Sequence, residues 1–223
     1  MNKNNIVTLF HAPQSHSSAT LVLLEELEVP YKLRMVNMKA GEQRQATYLA
    51  INPMGKVPAL QHFDEVVTEQ SAIFLYLADL YPEASLTPPI ESYLRGPYLR
   101  WMVYYATCYE PLLVDKALQC KAAVFSKPPC GDFDTMLDII IKQLGADPYL
   151  LGDRLSVADI LWASALQWGT QCRIVPEMAV ITEYVKRITS RPSFVKVAAM
   201  DAAWAAEHER LCNESLFEEL AYQ

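Results

Sequence analysis

The first 107 residues of this 223-residue chain lack cysteine altogether. The five cysteines all lie beyond them, are odd in number and include no Cys-x-x-Cys pair: Cys108, Cys120, Cys130, Cys172 and Cys212. A mechanism that needs a protein thiol in these 107 residues is therefore excluded. The pattern predicts a reducing cytoplasm, in which the cysteines are small, buried apolar residues rather than a disulfide framework.

Long apolar runs and basic clusters are missing as well. Charged residues interrupt the apolar stretches well before they could span a bilayer, and the N-terminus shows no signal-peptide pattern. The formal net charge is −7 and no Lys- or Arg-rich run occurs, so nucleic acid is not an expected partner. A composition with 52% hydrophobic and 20% charged residues is typical of a globular protein. We expect a cytoplasmic protein that binds neither nucleic acid nor membrane.

The N-terminal part of the chain alternates strand and helix patterns. In order, it predicts a strand at 6–10, a helix after the serine-rich turn 15–18, a strand at 31–36, a polar helix or loop at 41–50, strands beside Pro58 and at 65–68, and a helix at 71–81. Two strands joined by a helical crossover are parallel, so the first two strands should pair in parallel. This order predicts an α/β sandwich.

Beyond a proline-rich linker the chain shows only helix patterns. These patterns cover residues 93–125, 133–144, 157–168, 178–189 and 193–211. We therefore expect a first domain at 1–82, a linker at 83–91 and an all-α domain at 92–223. Ser156 and Asp159 form a capping-box pattern before an apolar run without a polar face, so that helix should be the buried axis of its domain, with a structural role for Asp159.

Pro58 interrupts an apolar run that otherwise has the pattern of a buried strand. A proline cannot donate to a β-ladder, so it belongs at the first residue of a strand, at an edge or at a bulge. One arrangement that accounts for it is a cis Val57–Pro58 bond in a tight turn before the strand. Such a turn leaves the N–H and carbonyl of Val57 able to pair with another group.

This motif and its surroundings resemble the soluble glutathione transferase superfamily, in particular serine-type members of the bacterial, phi and theta kinds. The matching residues are Asn52-Pro53-Met54-Gly55-Lys56-Val57-Pro58, Glu69, Ala72-Ile73, Tyr76-Leu77 and the preceding segment 38–44. The resemblance covers nearly the whole chain. It implies a thioredoxin-like α/β N-terminal domain and an all-α helical-bundle C-terminal domain.

The resemblance also implies glutathione as co-substrate, and no metal. Val57, before the cis Pro58, would pair its backbone with the cysteinyl unit as an added strand. Glu69 would hold the γ-glutamyl ammonium, and Gln70 with the adjacent helix N-terminus would hold the γ-glutamyl carboxylate. Three residues align with positions that often contact the glycine carboxylate: Gln43, Arg44 and Lys56. For Arg44 and Lys56 the alternative is a solvated surface.

In this family catalysis means lowering the pKa of the glutathione thiol, and the donor belongs to the turn after the first strand. A strict count along the chain places the family serine on Gln14 and the cysteine of the beta-type members on His16. A one-residue slip instead places Ser15 at the donor position, and Ser15 is the preferred candidate. Ser17 is the second candidate, with helix N-cap as its alternative role. His16 could donate a hydrogen bond, act as a base, or simply be exposed.

The expected activity is conjugation of the glutathione thiolate to a small hydrophobic electrophile by a homodimer, as in detoxification. Its substrate pocket would involve His11 and four residues at helical spacing, Trp101, Tyr104, Tyr105 and Cys108, although such an aromatic stripe is more often core. Two alternatives stay open. One is glutathione-dependent peroxidase, reductase or isomerase activity at the same site. The other is a non-catalytic glutathione-binding scaffold, since fold alone does not fix function.

Overall fold

The computed structural model describes residues 6–118 and 131–221, with side chains described up to residue 213. The described chain divides into two compact units. One contains the residues up to Leu77 together with those from Pro192 onward, and the other is Ala78–Arg191. Among the described helices, none combines the length and the hydropathy that crossing a membrane requires.

The first unit is built on a four-stranded mixed sheet in the order β2-β1-β3-β4. The strands are β1 (Val7–His11), β2 (Tyr31–Met35), β3 (Ala59–His62) and β4 (Glu65–Val67). As predicted, β1 and β2 are parallel, whereas β3 pairs antiparallel with both β1 and β4. The helices of this part are α1 (His16–Glu26), the single turn α2 (Ala46–Leu49) and α3 (Gln70–Leu80). The thioredoxin-like α/β fold is confirmed.

The last helix of the chain completes this unit. Helix α9 (Pro192–Ala221) packs against α1, which also packs against β1. Because α1 is covered from both sides, nearly all of its residues from Ala19 to Leu24 can be apolar and buried. Ser193 of α9 donates to the Glu26 carboxylate near one end of this contact. The sequence predicts α9 as part of the all-α domain at 92–223, because nothing local marks which surface a helix covers.

The second unit is helical, as predicted. It contains α4 (Arg95–Tyr104), a π-helical turn at Tyr105–Tyr109, α5 (Glu110–Ala117), α6 (Phe133–Leu144), α7 (Val157–Gln171) and α8 (Ala179–Thr189). The single helix predicted at 93–125 is interrupted by the π turn just before Pro111, whose ring nitrogen cannot donate to the preceding turn. Its predicted residues 119–125 lie outside the described part.

Helix α7 is the buried axis of the second unit, which confirms the prediction. Trp162 is fully buried, and the rings of Trp101, Tyr105 and Tyr109 meet it edge-on at centroid distances of 5.4, 5.9 and 5.1 Å. The indole N–H of Trp162 donates to the Trp101 carbonyl at 3.0 Å. Edge-to-face packing of this kind suits the charge distribution of aromatic rings.

The cysteines are less buried than expected. The three described cysteines are free thiols, of which Cys172 is exposed and Cys108 and Cys212 are half-buried. The prediction of burial is wrong for these three. They sit at helical positions that face partly or wholly away from the core. Cys120 and Cys130 lie outside the described residues.

Asp159 holds the start of α7 from a fully buried position. Its carboxylate accepts hydrogen bonds from the Ser156 N–H at 2.8 Å, the Ser156 hydroxyl at 2.7 Å, the Leu150 N–H at 2.8 Å and the Tyr184 hydroxyl at 2.9 Å. Burial raises the pKa of Asp159, and these hydrogen bonds oppose that rise. The carboxylate thus satisfies donors from three separate segments.

We therefore expect Asp159→Ala to destabilise the second unit strongly. The free energy of unfolding should fall by about 3 kcal/mol or more, since each buried donor left without an acceptor costs about 1–3 kcal/mol. Urea unfolding measures the loss. Asp132→Ala is the matched control, because Asp132 also caps a helix through the Thr135 N–H at 2.8 Å but is exposed. Equal losses for the two variants would contradict the central role of Asp159.

Candidate functional site

The turn before β3 contains the predicted cis bond between Val57 and Pro58, which is confirmed. Val57 is buried in a cluster that includes Phe10 and Ala12 of the first strand and its turn. In the described part of the chain, neither the N–H nor the carbonyl of Val57 makes a main-chain hydrogen bond. An extended peptide can pair with such a main-chain edge as an added strand.

Two side chains and a glycine fix the turn before Val57. The Tyr48 hydroxyl and the Asn52 side-chain amide both donate to the Lys56 carbonyl at 2.7 Å. Gly55 has a left-handed φ of 60°, and a Cβ there would lie 2.7 Å from the Gln43 carbonyl. Only glycine therefore allows the segment at 43–44 to pack against the motif.

This packing brings together the three residues predicted for the glycine carboxylate. The Arg44 guanidinium donates to the Met54 carbonyl at 3.4 Å. Arg44 and Lys56 are exposed, and Gln43 is half-buried. Two exposed cations and an amide at one edge of the turn can attract an anionic group without requiring its desolvation.

The N-terminus of α3 carries the other predicted binding residues. Glu69 is exposed and has a φ of 64°, in the left-handed region that non-glycine residues rarely occupy. Its carbonyl accepts the Ile73 N–H at 3.0 Å. The buried Gln70 donates through Nε2 to the His16 carbonyl at 2.7 Å. This bond ties α3 to the first turn of α1, so the predicted binding and donor residues are neighbours.

Ser15 is the N-cap of α1. Its hydroxyl oxygen accepts the Ser17 N–H at 3.2 Å, and the Ser15 N–H donates to the Ser18 hydroxyl at 3.3 Å, which completes a capping box. The alternative reading of Ser17 as the N-cap is wrong, because a run of serines offers several equivalent caps and only the backbone decides between them. His16 is the exposed first residue of the helix.

Below this turn lies a buried hydrogen-bonded group. The Ser17 hydroxyl lies 2.7 Å from the Ser15 hydroxyl and 2.8 Å from Nδ1 of His11. His11 has no exposed surface, and its Nε2 lies 2.9 Å from Oδ1 of Asp201. His11 was expected to line a substrate pocket. Instead, both ring nitrogens are engaged inside the protein, since the residue ends a central strand beneath α9.

Asp201 is a functional candidate that the sequence analysis missed. Besides His11, its carboxylate accepts the Gln14 N–H at 3.0 Å and the Ser18 hydroxyl. Burial alone raises the pKa of Asp201, but the hydrogen bonds from His11, Ser18 and the Gln14 N–H outweigh it and hold that pKa below its usual value. The available signal was a lone acid within the alanine-rich stretch 198–206.

The aromatic residues predicted for a substrate pocket belong to the second unit. Trp101 and Tyr105 are 2% exposed and pack on Trp162, so for these two the core role expected as the alternative applies. Tyr104 and Cys108 keep part of their surface exposed. A cleft of about 530 Å³ in this unit includes Trp101 and Arg100 but none of the residues predicted to bind glutathione.

Family comparisons match both parts of the chain. The glutathione S-transferase N-terminal domain matches residues 6–79, and the glutathione S-transferase C-terminal domain matches residues 132–192. Glutathione S-transferase F10 of Arabidopsis thaliana is 28% identical over 210 residues, which cover 87% of this chain and 97% of the relative. The matched regions contain the turn before β3 and the N-terminus of α3.

Solved structures give the same result. A glutathione transferase from Methylococcus capsulatus is 30% identical, with a TM-score of 0.75 over 89% of this chain and 100% of its own. A glutathione transferase homologue from Sulfitobacter, solved with bound glutathione, is 26% identical, with a TM-score of 0.70 over 87% of this chain and 98% of its own. The chain therefore belongs to the glutathione S-transferase family.

Proposed function

We propose that this chain is a glutathione transferase that binds glutathione on its first unit and activates the thiol at Ser15. One observation carries the proposal: three chain segments meet at one end of the sheet. Ala59 of β3 pairs with Phe10 of β1, so the Val57 edge lies beside the turn that follows β1. The bond from Gln70 to the His16 carbonyl brings the N-terminus of α3 to the same place.

The chemistry of these segments fits glutathione, an extended tripeptide with charges at both ends. The main-chain edge of Val57 suits the cysteinyl unit. The exposed Glu69 carboxylate suits the γ-glutamyl ammonium, while Gln70 and the α3 N-terminus suit the γ-glutamyl carboxylate. Lys56 and Arg44 with Gln43 suit the glycine carboxylate. Opposite charges at the two ends of the site would fix the direction of the peptide.

Thiol activation rests on the start of α1. An unperturbed thiol titrates at about 8.5, and lowering its pKa by two units requires about 2.7 kcal/mol of preferential thiolate stabilisation. A hydroxyl donor and a helix N-terminus together favour the anion. Ser15 supplies the hydroxyl, and its half-buried position lets it reach a ligand. The thiolate then attacks the electrophilic carbon, forming a sulfur–carbon bond as the leaving group departs.

We place the protein in the cytoplasm as a homodimer that acts on small hydrophobic electrophiles. The free thiols of Cys108, Cys172 and Cys212 support a reducing compartment. The proposed dimer and the proposed class of electrophile both rest on family membership.

Substitution of Ser15 tests the donor. In Ser15→Ala the pKa of the bound glutathione thiol should return towards about 8.5, with about tenfold less thiolate per pKa unit at neutral pH. The ultraviolet absorbance of the thiolate measures this. Ser15→Thr keeps both hydroxyl and cap and should restore the thiolate. Ser15→Asp keeps a good helix cap but brings a negative charge near the thiol. The stability of the protein should therefore recover, whereas the glutathione thiolate should not be restored. If the glutathione thiol bound to Ser15→Ala has the same pKa as in the wild type, the assignment of Ser15 as donor is wrong.

Glu69→Gln tests whether Glu69 holds the γ-glutamyl ammonium of glutathione. We expect the Kd for glutathione to rise about tenfold or more, because a charge-assisted hydrogen bond contributes about 1.5–3 kcal/mol. Calorimetric titration provides the Kd. Glu65→Gln is the control, since Glu65 is an equally exposed acid on β4. If both variants bind glutathione as the wild type does, Glu69 does not hold the ammonium.

The reaction products distinguish glutathione transfer from the alternative glutathione-dependent reactions. Conjugation consumes glutathione and yields a thioether, reduction yields oxidised glutathione, and isomerisation consumes none. A bound thiol that titrates like free glutathione would exclude the transferase mechanism and favour a binding scaffold.

A further inference from the structure

A continuous chain of hydrogen bonds leads from the proposed donor into the protein interior. It runs from the Ser15 hydroxyl to the Ser17 hydroxyl at 2.7 Å, to Nδ1 of His11 at 2.8 Å, and from Nε2 of His11 to Asp201 at 2.9 Å. Ser17 and His11 have no exposed surface, and Asp201 is 6% exposed. We call these four side chains the Ser15–Asp201 relay.

The carboxylate at its inner end determines which nitrogen of His11 carries a proton. An ionised Asp201 can only accept, so Nε2 of His11 carries a proton and donates it. In the neutral ring Nδ1 is then an acceptor, to which the Ser17 hydroxyl can donate at 2.8 Å; the Ala12 carbonyl at 3.0 Å is the other acceptor within reach of that hydroxyl. The Ser17 oxygen, which also accepts the Ala12 N–H at 3.0 Å, can accept from Ser15. The Ser15 proton thus points either along the relay or to the Ala12 carbonyl at 2.7 Å.

The described side chains around His11 include a single ionisable hydrogen-bond partner. Its strand neighbour on β2 is Met35, and the Trp204 ring of α9 lies edge-on at 5.5 Å. In the described part of the chain, Asp201 is the one ionisable side chain that hydrogen-bonds to His11. A buried imidazolium beside a buried carboxylate interacts more strongly than the same pair would in water.

We propose that the Ser15–Asp201 relay takes up the proton of the glutathione thiol, a step that rests on the proposed transferase function. Ser15 accepts the thiol proton while passing its own to Ser17, and Ser17 passes its own to Nδ1 of His11. One S–H bond breaks, one N–H bond forms, and each serine ends with one proton. The thiolate is balanced by an imidazolium paired with Asp201, and the new Ser15 proton faces the sulfur.

In this scheme Ser17, His11 and Asp201 act through Ser15 and are positioning residues. The scheme differs in one measurable way from a static hydroxyl donor. A static donor stabilises a thiolate whose proton has left for the solvent. The relay keeps that proton inside the protein, so thiolate formation and proton release are uncoupled.

The test counts protons and thiolate together. Wild-type protein is mixed with glutathione at neutral pH in a weakly buffered indicator dye, and thiolate absorbance is recorded in parallel. We expect clearly fewer than one proton released per thiolate formed. Ser17→Ala, which cuts the relay but leaves the Ser15 cap, should release one proton per thiolate and form about tenfold less thiolate for each unit by which the thiol pKa rises. One released proton per thiolate in the wild type overturns the relay.

A second measurement uses only the wild-type protein and so does not depend on whether a variant folds. Nitrogen NMR of the His11 ring should show a neutral ring protonated at Nε2 before glutathione is added and a doubly protonated ring afterwards. S-methylglutathione has no thiol proton, so it should bind without changing the ring. A ring that stays neutral while the thiolate forms would also overturn the relay.

Two further variants separate the relay from structural support. Asp201→Asn keeps the size of the side chain but removes its charge, so the His11 ring should stay neutral when glutathione binds. Ser193→Ala, the matched control, weakens α9 against α1 at Glu26 and should leave the proton count as in the wild type. Equal proton counts in Asp201→Asn and wild type would overturn the relay. Failure of the wild type to bind S-methylglutathione would overturn the proposed function itself, and the relay with it.

Discussion

The buried carboxylate of Asp201 is the constraint on which the rest of the candidate site depends. It lies on the last helix and receives hydrogen bonds from His11 at the end of β1, from the Gln14 N–H in the turn and from Ser18 in the first turn of α1. One charged group therefore fixes the end of a strand, a left-handed turn residue and a helix start. Such a charge is stable in the interior only because all of these donors converge on it.

A second constraint holds the binding edge. The Lys56 carbonyl is fixed by two side-chain donors, and Gly55 allows close approach of the segment that contains Gln43. The Val57 backbone is thereby oriented by its neighbours rather than by a sheet partner. The proposed binding edge and the proposed donor thus rest on different supports within one unit.

Local physics made part of this site predictable from sequence. Pro58 stands out because proline cannot donate to a β-ladder, whereas the roles of Val57 and Glu69 followed from the resemblance to glutathione transferases. The helix N-cap could not be assigned to Ser15 or Ser17 from sequence, because adjacent serines are equivalent as caps until the backbone is known. Asp201 was missed because its partner His11 is 190 residues away, and no local pattern records which helix covers which strand. The π turn at 105–109 was likewise missed, although Pro111 stands within the helical pattern at 93–125.

The position of α9 has a consequence for how the chain assembles during synthesis. The sheet and α1 leave the ribosome before α9, so one face of α1 stays uncovered until residues from Pro192 onward have been made. The second unit is continuous between Ala78 and Arg191, so all of its described helices are synthesised before α9. The turn around Asp201 therefore cannot close until synthesis has passed the whole of the second unit.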